Sequence, residues 1–232
     1  MVSYASVDGK GILLVGDSRT LPMIPSRSVA AIVTSPAYWV RGRGRQSASR
    51  YARRLAVEYG REWRRVLSAR GDLWLVIGDR HDGNEWVGID GLVTDWFRRT
   101  GWSLQAKGLW AEHPSLARWD ERVNHLLRFK KAGRRSLPPD ATLCWRLPIP
   151  PAPRGGLWDA TPHPVIRALL SLSAEGTVLD PFFGSGTVGV VAARMGRPWI
   201  GVEKDRSQAL VAARRLRLRR AASVTVHLPL TL

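Results

Sequence analysis

From Val178 to Thr187 the chain reads Val178-Leu179-Asp180-Pro181-Phe182-Phe183-Gly184-Ser185-Gly186-Thr187, an apolar run that ends at an acid and breaks into two closely spaced glycines. Glycine lets a backbone approach a ligand closely, and the helix expected next offers unpaired N–H groups at its first turn. Glu203 ends the following apolar run, about twenty residues on, where a carboxylate can accept hydrogen bonds from both hydroxyls of a ribose. Alone, the glycines make a tight turn and Glu203 a solvated strand-end acid. Together they suit a bound nucleoside, of a dinucleotide or of S-adenosylmethionine. The full Gly-x-Gly-x-x-Gly fingerprint is absent, and so is a phosphate loop of the Gly-Lys-Ser/Thr type. A second segment, Thr34-Ser35-Pro36-Ala37-Tyr38-Trp39, also stands where an apolar run ends. It reads either as an aromatic-capped turn or as a polar group held at a ligand.

Apolar runs alternate with amphipathic stretches along most of the chain, the pattern of an α/β protein with parallel strands. Strands are expected at 30–34, 73–77, 102–111, 123–130, 178–180, 199–203 and 224–226. Helices are expected at 49–70, stopped by Gly71, at 85–100, at 164–174, from the glycine turn to Met195, and after Asp205. The stretch 132–160 breaks this rhythm with Pro138, Pro139, Pro148, Pro150, Pro151, Pro153 and Gly155-Gly156, so it reads as a short loop-rich insertion in a single domain over 1–232. In open α/β sheets ligands lie beyond the carboxyl ends of the strands, where both candidate segments fall.

Taken together, these segments resemble the amino-directed DNA methyltransferases, which methylate exocyclic amines with S-adenosylmethionine. The family's catalytic motif, Asp/Asn/Ser-Pro-Pro-Tyr/Phe, is matched by Ser35-Pro36-Ala37-Tyr38, and a Ser form trailed by Trp typifies the N4-cytosine enzymes. Its cofactor motif, Asp-Pro-Phe-x-Gly-Ser-Gly-Thr, is matched from Asp180 to Thr187. Gly16-Asp17-Ser18, Arg65-Val66-Leu67, His163-Pro164 and Ile200-Gly201-Val202-Glu203 match further positions, so the resemblance spans about residues 11–215. The catalytic motif precedes the cofactor motif, as in the family's β class.

The resemblance implies a Rossmann-like methyltransferase fold: a mostly parallel central sheet, helices on both faces and a circularly permuted motif order. It implies that Ser35 and the Pro36 carbonyl accept hydrogen bonds from the target amine, and that Tyr38 stacks on a base flipped from the duplex. It assigns the cofactor to Asp180, Phe182, Gly184, Ser185, Gly186, Thr187 and Glu203, with Asp17 and His163 at the margin, and needs no metal. The expected activity is sequence-specific methyl transfer to the N4 amine of cytosine in double-stranded DNA. The alternatives are N6-adenine methylation, RNA methylation, and a weakened nucleic-acid-binding homologue in which Ala37 replaces the family's second proline. Methylation at cytosine C5 is set aside, because it needs a cysteine nucleophile. The single cysteine, Cys144, lies inside 132–160 and reads as a small buried hydrophobe.

The charge balance suits such a partner. Thirty-six Lys+Arg against nineteen Asp+Glu give +17, and a pI near 11.4 favours a polyanion. Arginine outnumbers lysine 31 to 5, a bias that genomic base composition also produces. Trp39, Arg41, Arg43 and Arg45 read as a DNA-facing loop beside the catalytic motif, with Arg50, Arg53 and Arg54 behind them. The 132–160 stretch corresponds in order to the family's target-recognition region, whereas Arg214, Arg215, Arg217, Arg219 and Arg220 read as a solvated face. Asp79, His81 and Asp82 read as a polar strand-end loop in preference to a metal site, with Asp79 at the pocket's border. His113, His125 and His227 read as structural. No apolar run approaches a membrane span and no signal peptide is visible, so a cytoplasmic protein is expected. The resemblance admits a homodimer and a cognate restriction endonuclease as partners.

Overall fold

The apolar runs become strands of one large sheet. The computed structural model describes residues 3–37, 44–82, 85–112, 123–131, 137–138, 141, 143–148 and 161–221. In chain order the strands are β1 (Ser3–Ala5), β2 (Gly11–Val15), β3 (Val29–Thr34), β4 (Leu67–Gly78), β5 (Arg80–Asp82), β6 (Glu85–Val87), β7 (Ser103–Ala111), β8 (Val123–Lys130), β9 (Cys144–Arg146), β10 (Val178–Asp180), β11 (Trp199–Glu203) and β12 (Arg219–Ala221). Ten of them form a sheet in the order β12-β1-β2-β11-β10-β3-β4-β8-β7-β9, and β5 pairs with β6 as a separate hairpin. The helices are α1 (Gly44–Arg54), α2 (Gly60–Val66), α3 (Ile89–Arg99), α4 (His163–Ser171), α5 (Thr187–Arg194) and α6 (Arg206–Arg215), and a π-helical stretch, Leu55–Tyr59, joins α1 to α2. Among the described residues no helix is long and apolar enough to cross a membrane.

The central strands β2, β11, β10, β3 and β4 are mutually parallel, and antiparallel β1 and β8 flank them. Every residue of β3 is buried, as a strand covered on both faces requires. One face is covered by α1, the π-helical stretch, α2 and α3 through Ala52, Leu55, Trp63, Val66, Val93 and Phe97. The other is covered by α4, α5 and α6 through Val165, Leu169, Val188, Val191, Ala209 and Ala212. This is the Rossmann-like α/β architecture expected from the sequence. The connection from β3 to β4 runs through α1 and α2 on one face, and that from β10 to β11 through α5 on the other. The two leave in opposite directions, so the β10/β3 boundary is the topological switch point, where such sheets open a crevice at their carboxyl edge.

Several local expectations are corrected. The helix expected at 49–70 stops at Val66, and Gly71 lies inside β4 instead of ending a helix. Pairing of Leu67 with Val29 draws the segment into the sheet. Gly71 answers to packing, since a Cβ there would lie 2.6 Å from Leu67 Cδ1. The helix expected from residue 85 starts at Ile89, because Glu85–Val87 is committed to the β5–β6 hairpin. Cys144 is exposed, not buried, since it sits on β9 at the outer edge of the sheet. The strand expected at 224–226 and most of 132–160 lie outside the described residues.

A buried ion cluster locks the sheet at the edge opposite the crevice. Asp72 of β4 is fully buried and accepts hydrogen bonds from Arg128 Nε at 2.9 Å and from the Ala174 N–H at 2.9 Å. Lys130 Nζ lies 3.5 Å from the same carboxylate. Removing one member of such a cluster strands buried charge, at a cost of about 3–5 kcal/mol. Asp72→Ala is therefore expected to lower stability by about that amount, read as a reduced urea midpoint with an unchanged slope.

Candidate active site

Where β3 and β10 part, side chains take over from the backbone. Their ladder ends at Leu179 opposite Ile32, and beyond it Thr34 Oγ1 donates to Asp180 Oδ1 at 2.7 Å. The Phe182 N–H donates to the same oxygen at 3.1 Å. Burial outweighs both bonds and pushes the Asp180 carboxyl up to about 7, with the charge of Glu203 adding to the rise. Asp180 is thus poised between its neutral and charged forms near neutrality.

The glycine turn follows from this anchor. Gly186 caps α5 in the left-handed region at φ 84°, a backbone conformation that favours glycine. Its N–H donates to the Phe183 carbonyl at 2.8 Å, and the Phe183 N–H donates to the Val202 carbonyl at 3.0 Å. The Phe183 ring lies flat on β11, where a Cβ on Gly201 would approach it to 2.4 Å. That contact is the physical reason for glycine in Ile200-Gly201-Val202-Glu203. Phe183 also stacks on Trp199, with ring centroids 5.2 Å apart. Phe182 turns to the opposite face and meets Trp63 edge-on at 5.9 Å.

Glu203 is held from two sides. Its Oε2 accepts from the Gly184 N–H at 2.6 Å and its Oε1 from the Asp205 N–H at 2.7 Å. Each carboxylate oxygen keeps further acceptor capacity, so the group is oriented without being used up. A cleft of about 460 Å³, open to solvent, is lined by Ser35, Thr161, Ile166, Asp180, Phe182, Phe183, Gly184, Ser185, Thr187 and Val188. Ser35 and the glycine turn, far apart in sequence, therefore share one wall. Ser35 Oγ donates to the Val76 carbonyl at 3.3 Å, which leaves its lone pairs free to accept. Pro36 is buried beside it and Ala37 is exposed.

Other expected site residues fall elsewhere. Asp17 pairs with Arg19 at 2.7 Å and with Lys204 at 3.2 Å, and the Arg19 guanidinium holds its carboxyl well below the usual range. Asp17 does not line the cleft. His163 stands behind the turn, with its ring nitrogens 3.2 Å from Arg194 Nη1 and from Arg215 Nη2. Burial and these two cations push its pKa down, so the ring is neutral and offers a lone pair to only one of them. Tyr38, Trp39, Arg41 and Arg43 lie outside the described residues, as do His113 and His227, and of Arg45 only its place in α1 is described.

Asp79 accepts from the Ile89 N–H at 2.9 Å and from His125 Nε2 at 2.8 Å, tying the end of β4 to α3 and β8. It does not line the cleft. Asp79, Asp90 and His125 present ligand atoms within 4.8 Å of one another. The Lys107 ammonium sits on Asp90 and already supplies a positive charge there.

Sequence reading missed Thr161, Phe183, Ile166 and Val188 as cleft residues. Phe183 and Val188 flank matched positions, but Thr161 carries no signal besides its closeness to His163. Arg215 is a correction. It is half-buried and donates to the Ser185 carbonyl and to Thr187 Oγ1, both at 3.2 Å, instead of lying on a solvated face.

Comparison with known proteins agrees with this geometry. A family model described as DNA methylase, of the N6/N4 type, matches residues 159–214. Type II methyltransferase M.XycI of Xanthomonas campestris pv. cyanopsidis is 28% identical across 88% of this chain and 87% of its own length. Type II methyltransferase M.SmaI of Serratia marcescens is 26% identical across 90% and 91%. A putative DNA modification methylase of Thermus thermophilus, solved in complex with S-adenosyl-L-methionine, superposes with a TM-score of 0.71 at 27% identity, over 88% of this chain and 92% of that one. PvuII DNA methyltransferase, described as cytosine-N4-specific, shares the fold with a TM-score of 0.76 at 18% identity, over 88% and 86%. The family resemblance read from the motifs is borne out.

The raised Asp180 carboxyl has a sign that can be tested. The folded state holds this proton between about pH 4 and pH 7 while the unfolded chain releases it, so stability falls as pH rises through that window. Chemical denaturation of the ligand-free protein at several pH values is expected to show this decline, and Asp180→Asn is expected to flatten it.

Proposed function

We propose that this chain, related in sequence and fold to the amino-type DNA methyltransferases, methylates the N4 amine of a flipped cytosine in double-stranded DNA. The observation that carries the reading is the shared wall of the cleft, where Ser35 and the glycine turn meet across the Thr34–Asp180 bond. The residues present fit S-adenosylmethionine: an oriented Glu203 carboxylate for ribose hydroxyls, a turn without side-chain bulk at Gly184 and Gly186, and a buried Thr161 hydroxyl that has no partner among the described residues. When bound, that cofactor supplies an electrophilic methyl group.

An exocyclic amine is a poor nucleophile because its lone pair is delocalised into the ring. Ser35 Oγ, its proton already directed to Val76, accepts one amine N–H, and the Pro36 carbonyl accepts the other. Two acceptors favour a pyramidal nitrogen whose lone pair points at the methyl. Fixed dipoles and positioning then carry the rate. Tyr38 stacks on the extruded base and offsets part of the unstacking cost. Ser35 in place of an acid supports cytosine over adenine, by the family pattern. Trp39, Arg41, Arg43 and Arg45, the last at the start of α1, hold the duplex together with 132–160 and read its sequence. M.XycI and M.SmaI, which match along most of the chain, carry type II names, which supports a restriction endonuclease of the same specificity as a functional partner.

Mass spectrometry of nucleosides from DNA incubated with protein and S-adenosylmethionine is expected to show N4-methylcytosine; N6-methyladenine in its place would overturn the base assignment. Ser35→Ala is expected to lower turnover by about 100-fold or more, and Tyr38→Ala to lower it as well, with cofactor affinity retained in both. Loss of cofactor binding in both variants would show that the catalytic segment is misplaced.

A further inference from the structure

Trp86 is the only tryptophan, tyrosine or phenylalanine among the described residues whose side chain is exposed, at 40%. It stands on β6, registered opposite His81 in the hairpin that springs from the carboxyl end of β4. That hairpin has a firm base. The neighbouring Val87 is buried and joins Ile89 in the core under α1 and α3. Asp79, just ahead of β5, accepts from the Ile89 N–H just beyond β6 at 2.9 Å, and from His125 Nε2 at 2.8 Å. A two-stranded hairpin is marginal in water by itself, so these anchors are what hold the ring in place.

The topology puts Trp86 beside the catalytic strand and above it. Thr34 of β3 is registered with Leu75 of β4, and Ser35 Oγ donates to the Val76 carbonyl, so the floor of the base pocket lies level with Val76. From Val76 to His81 the chain advances five residues, at most about 17 Å along an extended path. A nucleotide swung out onto the Ser35 floor leaves its duplex outside the cleft, on the side toward which the hairpin rises. Segment 80–87 carries one arginine against Asp82 and Glu85, in a chain of net charge +17. It is therefore unsuited to gripping phosphates, and what it offers DNA is an aromatic face. Extrusion of a base leaves two neighbouring base faces unstacked, the kind of gap that inserted apolar side chains fill.

We propose that Trp86 enters the base stack at the target site and fills the space that the flipped cytosine vacates. The assignment rests on the reading of this chain as a DNA methyltransferase. The ring offsets part of the unstacking from the duplex side, while the pocket at Ser35 holds the base on the other. The pinned hairpin base presents the ring without further ordering.

The test compares duplexes that do and do not require a base to leave the stack. Dissociation constants are measured by fluorescence anisotropy in the presence of S-adenosylmethionine for a short duplex that the wild type methylates. The reference is a duplex of the same composition in scrambled order, held through its phosphates alone. Trp86→Ala is expected to weaken the target duplex by about 10-fold, a step of about 1.4 kcal/mol, and the scrambled duplex by less than about 2-fold. Trp86→Phe keeps a smaller stacking ring and is expected to lose only about 3-fold on the target duplex, which preserves the test if the alanine variant misfolds. Affinity for S-adenosylmethionine is expected to be unchanged in both variants. Equal weakening of both duplexes would overturn this proposal alone, leaving the hairpin a structural support. Unchanged affinity of Trp86→Ala for both duplexes would overturn it in favour of a contact with another protein. Failure of the wild type to methylate any duplex would overturn the methyltransferase reading and this proposal with it.

Discussion

The hydrogen bond from Thr34 to Asp180 is the contact on which the site depends. Parallel β3 and β10 pair over only two registered positions before they diverge. Divergence opens the crevice, but it also leaves two buried strand ends without a ladder. A single hydroxyl–carboxyl bond of 2.7 Å spans the opening and fixes how far the strands part. The same Asp180 oxygen starts the turn through the Phe182 N–H, so the catalytic strand and the cofactor turn take their positions from one atom.

From that anchor the site is tied into both halves of the core. Adjacent residues Phe182 and Phe183 go to opposite faces of the sheet, the first among Tyr59 and Trp63, the second against Trp199 and the glycine of β11. A turn that carries little side-chain bulk of its own is thereby clamped between two packed layers. Glu203 closes the arrangement by taking the Gly184 N–H, so the acid that suits a ribose also shapes the loop beneath it. Rigid support of this kind lets a glycine-rich segment act as a preorganised binding surface.

Most of this was legible in the sequence wherever a local chemical requirement dictated residue type. The Asp180–Thr187 turn, Glu203, and Ser35 at the end of a continuous apolar strand are such places, and they stand together in the structure as their spacing implied. What was not legible depended on partners distant along the chain. Gly71 looked like a helix stop, but the pairing of Leu67 with Val29 draws the whole segment into β4. Cys144 looked like a core residue because its edge-strand position is set by β7, not by its neighbours in sequence. Arg215 sits in a run of arginines whose other members are mostly exposed, and only the close approach of α6 to the turn sets it apart. His125 finds Asp79 across a strand pair that spacing alone does not reveal.

The pairing of β1 with β12 has a consequence for the order in which the two halves are written. Ser3 lies opposite Ala221, so the first and last described strands are neighbours in the sheet and the path between them is nearly closed. On such a ring the catalytic and cofactor halves have no intrinsic first or second, and their order is set by where the ring is cut. The fold is indifferent to that cut as long as it falls in a surface connection between strands. A cut in another surface connection would reverse the order of the two halves and leave the contact between Thr34 and Asp180 the same.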